Sequence, residues 1–99
     1  MYRSTQVRPL DDRRSTRSDV RLAATLEAGP AHNVAITIVN ISAHGIMAEC
    51  TAPLLPGRPV SLSLPGLYRH AGRIAWVRDD RLGIAFDRPL ALAEIMSIL

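Results

Sequence analysis

The strongest constraint on this chain is a period of two. Between Val20 and Phe86, apolar side chains recur at every second residue in short runs, each ended by Gly, Pro, Asn or Asp. Side chains on a strand change face at each step, so this alternation suits a sheet with one buried face and not a buried helical stripe. Val20, Leu22, Ala24 and Leu26 make the first run, and Ala28-Gly29-Pro30 marks the turn after it. Val34, Ile36 and Ile38 make the second, ending at Asn40, and Ile46, Ala48 and Cys50 the third. A breaker-rich loop (Pro53, Pro56, Gly57, Pro59) leads to Val60, Leu62 and Leu64, closed by Pro65-Gly66. Ile74 and Trp76 point one way in a fifth strand, Asp79-Asp80 makes a tight connection, and Leu82, Ile84 and Phe86 line the inner face of a sixth. From Leu90 the pattern changes: Leu92, Ile95, Met96 and Leu99 fall on one helical stripe, which predicts a short C-terminal helix lying on the sheet or a barrel end. Strands followed by a helix, with no strand–helix alternation, argue for an all-β barrel or sandwich.

Residues 1–19 lack this pattern and read as a flexible arm, with the folded domain at residues 20–99. The arm is where charge collects. All 12 basic residues are arginines, and six of them (Arg3, Arg8, Arg13, Arg14, Arg17 and Arg21) lie within the first 21 residues, partly offset by Asp11, Asp12 and Asp19. A preference for arginine over lysine explains the missing lysines but not the clustering. Guanidinium groups grip phosphate or a guanine edge through a fork of donors and stack on bases.

Other chemistries find little support. One cysteine, Cys50, allows no internal disulfide and reads as a buried thiol. His32, His44 and His70 are scattered, without partners at metal-ligand spacing, so no metal or cofactor is expected. No nucleophile–base pair or carboxylate pair suggests an enzyme. Four aromatic residues are too few for a base-stacking platform on a strand face, which argues against nucleic acid as the partner. No apolar run is long enough to span a membrane, and the polar start lacks a secretion signal, so the expected compartment is the cytoplasm. That also discounts the glycosylation pattern at Asn40-Ile41-Ser42.

The polar stretch "NISAHG", residues 40–45, interrupts two apolar runs. In an antiparallel hairpin the start of the first strand lies beside the end of the second. The arm carrying Arg13, Arg14 and Arg17 therefore enters the domain close to Asn40. Asn40 offers an amide to a base edge, Ser42 a hydroxyl to phosphate or ribose, and Gly45 permits positive φ and close approach of a ligand to the backbone. The same residues also suit a self-bonded Asx or Ser turn. Together the two segments imply a small anionic ligand with a purine-like edge, clasped between arm and corner.

"RRSTR" followed by "NISAHG" resembles the signature of the PilZ domain family, Arg-x-x-x-Arg and then Asp/Asn-x-Ser-x-x-Gly, matched at Arg13, Arg17, Asn40, Ser42 and Gly45. "PLLPGRPVSLSL" and "GRIAWVRDDRLGIAFD" are similar to the family's middle loop and late hairpin, so the resemblance covers about residues 10–99. It implies a six-stranded antiparallel β-barrel with a C-terminal helix that binds the bacterial second messenger cyclic di-GMP and relays the signal to a partner protein in motility, exopolysaccharide or biofilm control. Carried over, Arg13 and Arg17 form the clamp, with Arg14 on a phosphate or base. Asn40 reads a guanine edge, supported by Ser42 and Gly45. Trp76 matches an aromatic position that stacks on guanine in some members, beside the plainer reading of barrel-mouth packing. Asp12 stands where an arginine tends to accompany binding of a nucleotide dimer, which leans toward one molecule per site. A second frame, Arg17 to Arg21, is disfavoured because Arg21 falls within the first strand. The alternative is a ligand-free PilZ adaptor acting through protein–protein contacts.

Overall fold

The computed structural model describes residues 17–99. The alternating runs form six strands: β1 (Ser18–Ala28), β2 (Ala31–Ser42), β3 (Gly45–Glu49), β4 (Pro59–Ser63), β5 (Arg69–Arg78) and β6 (Arg81–Phe86), followed by α1 (Leu92–Ile98). They close into an antiparallel barrel in the order β1-β2-β3-β6-β5-β4. Of the barrel and sandwich left open by the periodicity, the barrel is the one formed. β1 begins at Ser18 and β2 runs to Ser42, so the outermost strand residues lie further out than the apolar pattern alone indicates.

The inward positions supply the core. Leu26, Ile38, Ile41, Leu62, Ile74 and Leu82 are fully buried inside the barrel, each stabilising it by roughly 1.5–3 kcal/mol relative to exposure. Cys50 is a buried free thiol at the end of the third run. The β1–β2 hairpin turns at Gly29-Pro30, where Gly29 takes φ 59°; glycine meets that positive φ without steric cost.

Four register shifts depart from simple alternation: in β1 between Asp19 and Leu22, in β2 between Ile38 and Asn40, in β5 between Ile74 and Trp76, and beside the first hairpin between Leu26 and Ala28. An extra residue in one strand re-aims the side chains beyond it. The shift in β5 overturns one expectation. Ile74 is buried, but Trp76 is 40% exposed and lies on the outside of the barrel.

The helix forms, but of the expected stripe only Ile95 turns inward. Leu90 is buried, and Ile95 and Ile98 pack against the core, while Leu92, Met96 and Leu99 are exposed. The reason is the anchoring of its approach. Leu90 N–H bonds the Ala43 carbonyl at 2.7 Å, and Ala91 N–H bonds Glu94 Oε1 at 2.7 Å. The first ties the approach of α1 to the residues between β2 and β3, and the second caps the helix's own first turn.

Candidate functional site

The first two shifts flank a pair of directly opposed residues, Asp19 on β1 and Asn40 on β2. Arg17, just ahead of β1, reaches the same point. Its Nη1 donates to Asn40 Oδ1 at 3.0 Å, and Asn40 Nδ2 donates to Asp19 Oδ1 at 3.1 Å. Asn40 is buried, and both ends of its amide are satisfied by charged partners, which are stronger than neutral ones.

The β2–β3 corner follows. Ser42 pairs with Gly45 across Ala43 and His44, and neither Ala43 nor His44 has the positive φ of a primed hairpin turn. Other turns splay the strands they join, so this one is held from outside. Ser42 Oγ accepts from His44 N–H at 3.3 Å and donates to the Gly45 carbonyl at 3.4 Å. The His44 carbonyl accepts from Phe86 N–H at 2.9 Å, and the Ala43 carbonyl takes the Leu90 bond already described. Ser42 is buried, with its hydroxyl turned to the corner's own backbone.

Gly45 is not at positive φ, contrary to the expectation from its place in the motif. The residue is small because β6 crosses it: a Cβ would run into the Ile84 carbonyl oxygen. Gly83 has a similar role beside Trp76. The two residues are opposed across β5 and β6, and a Cβ at position 83 would occupy the space of the indole. Trp76 therefore packs its indole over Gly83 on the outer barrel wall.

Arg17, the Ser42–Gly45 corner and the Trp76–Gly83 patch share one groove of about 400 Å³, lined by Arg17, His44, Gly45, Met47, Trp76 and Phe86 among others, and Asn40 sits behind it, bonded to Arg17. That volume lies within the range of small-molecule sites. A larger groove of about 740 Å³ lies elsewhere, but its charged lining residues are Glu49 and Asp80, both acidic. An anionic ligand favours the smaller groove, where a guanidinium and an indole face the same space.

The candidate residues Arg17, Ser42, Gly45 and Trp76 thus line one groove on the outside of the barrel, with Asn40 held beside it through Arg17. Arg13, Arg14 and most of the expected arm lie outside the described residues. Arg21 belongs to β1, where it pairs with Glu49 at 2.9 Å rather than joining the groove. Two contributors went unmarked in the sequence. Asp19 counted there only as a charge offset. Gly83 carried a signal, since a glycine inside an apolar strand often marks a close approach, but its partner depended on the register. Among the described residues, no group of three His, Cys, Asp or Glu side chains is placed to hold a metal ion, and no helix is long and apolar enough to cross a membrane.

A family model described as PilZ domain matches residues 11–98, most of the chain. No curated protein matches it.

Proposed function

The chain belongs to the PilZ domain family, and from that membership we propose that it is a receptor for cyclic di-GMP that relays the nucleotide signal to a partner protein. The observation that carries the proposal is the contact between Arg17 and Asn40 at the rim of a groove floored by Gly83 and walled by Trp76. It joins the second arginine of one motif to the first residue of the other. In this reading Arg13 and Arg17 clamp guanine and phosphate, with Arg14 adding charge. Asn40 meets a guanine edge, Ser42 and Gly45 keep the corner in shape, and Trp76 offers its exposed indole face to a base.

The energetics are favourable for a short arm. Fixing each residue costs roughly 1–2 kcal/mol, and each hydrogen bond to a charged group returns about 1.5–3 kcal/mol. Two phosphates and two guanines give several such bonds. Binding does not require catalysis, and the groove offers what a binding role needs: a guanidinium, the Asn40 amide beside it and aromatic side chains.

Calorimetric titration of Arg17→Ala with cyclic di-GMP tests the proposal. The expected result is no detectable binding, with a far-ultraviolet circular dichroism spectrum like that of the unsubstituted protein. Unchanged affinity in this variant would refute it.

A further inference from the structure

We infer that Asp19 is a positioning residue that fixes the Asn40 amide with its oxygen toward Arg17, as an acceptor at the edge of the site, so that the site engages a nucleobase through one of its N–H groups. The inference deepens the cyclic di-GMP reading and rests on it for the identity of the ligand. The two ends of an asparagine amide have nearly the same shape but opposite hydrogen-bonding character, so its neighbours decide which end faces where.

At Asn40 the neighbours leave no choice. Asp19 is an acceptor only, and its Oδ1 lies 3.1 Å from Nδ2; Arg17 is a donor only, and its Nη1 lies 3.0 Å from Oδ1. Turning the amide over would set oxygen against carboxylate and N–H against guanidinium. Asn40 is 9% exposed, so water has little room to offset such a mismatch. The opposed register of Asp19 and Asn40, with shifts in β1 and β2 beside it, keeps the two side chains in reach.

The consequence concerns the ligand. A carbonyl oxygen has two lone pairs, and Arg17 uses one. The other is an acceptor beside a guanidinium donor. A guanine edge presents the complement: an N1–H donor beside the O6 acceptor. The inference also explains why this chain carries Asn rather than Asp at position 40. A carboxylate there offers the same acceptor but faces Asp19 as a like charge.

The test is a charge swap with two readouts. Cyclic di-GMP affinity is measured by calorimetry for the unsubstituted protein, Asn40→Asp, Asp19→Ala and the double variant Asp19→Asn/Asn40→Asp. Exchange of the Asn40 side-chain amide protons is followed by NMR in the ligand-free unsubstituted protein and in Asp19→Ala. Asn40→Asp is expected to bind at least about tenfold more weakly, the loss of about one charge-assisted bond. The double variant is expected to recover to within about threefold of the unsubstituted protein, because the new amide at position 19 donates to the new carboxylate. Asp19→Ala is expected to weaken binding and speed exchange of the Asn40 amide protons. A double variant that folds yet binds no better than Asn40→Asp would overturn the acceptor role, and so would unchanged amide exchange in Asp19→Ala. If Asn40→Asp fails to fold, Asp19→Ala decides the matter through the same two readouts. An unsubstituted protein that ignores cyclic di-GMP overturns the nucleotide reading instead, and the ligand-free exchange measurement still decides whether Asp19 orients Asn40.

Discussion

Gly45→Ala is the substitution that most sharply separates a steric from a conformational role for the last residue of the corner motif. Gly45 is not at positive φ, so backbone freedom alone gives alanine no penalty there. Its Cβ, however, meets the Ile84 carbonyl oxygen of β6. A main-chain atom in a ladder does not swing aside as a side chain does, so β3 and β6 must part locally. That disturbs the pairing of Gly45 with Ala85 and of Ile46 with Ile84, and the 2.9 Å bond from Phe86 N–H to the His44 carbonyl. Losing two or three hydrogen bonds at about 1 kcal/mol each gives a cost of about 2–3 kcal/mol. For a domain of this size the melting temperature falls by about 4–8 °C per kcal/mol, so the expected drop is about 10–20 °C. Urea unfolding followed by circular dichroism measures the free energy directly. The same displacement moves the corner that carries Ser42 and His44, so cyclic di-GMP affinity should fall as well. A variant within about 0.5 kcal/mol of the unsubstituted protein, the range of ordinary surface changes, would refute the steric account.

The other expectations address separate parts of the molecule. Gly83→Ala should lift the Trp76 indole off the barrel wall; the chain's single tryptophan reports this as a red-shifted emission maximum, and an unchanged spectrum would count against the packing described. Leu62→Ala removes a fully buried side chain from the barrel interior and should destabilise the fold by about 2–5 kcal/mol in urea unfolding, while leaving the Arg17–Asn40 contact at the rim in place. Arg69→Ala breaks a two-pronged pair with Glu27 at 3.0 Å on an exposed surface and should cost no more than about 1 kcal/mol, less at high salt.

The sequence by itself determined the strand count, the inner faces of most strands and the end of the domain at which the corner lies. Those follow from local causes. Side-chain alternation assigns faces, glycine and proline end strands, and hairpin connectivity brings the start of β1 beside the end of β2. Arg17 and Asn40 were legible as partners for that reason. The tertiary structure decided what depends on register between strands. An extra residue in β5 turned Trp76 outward against Gly83, although alternation pairs it with Ile74. Opposed register placed Asp19 against Asn40 and gave the asparagine amide one orientation. The bond from Leu90 N–H to the Ala43 carbonyl anchors the approach to α1, whose core-packed residues are Ile95 and Ile98, so that of the Leu92, Ile95, Met96 and Leu99 stripe only Ile95 packs inward. A bulge or a crossing carbonyl leaves little mark on composition or period, because its energy comes from residues far apart in the chain that meet only once the barrel closes.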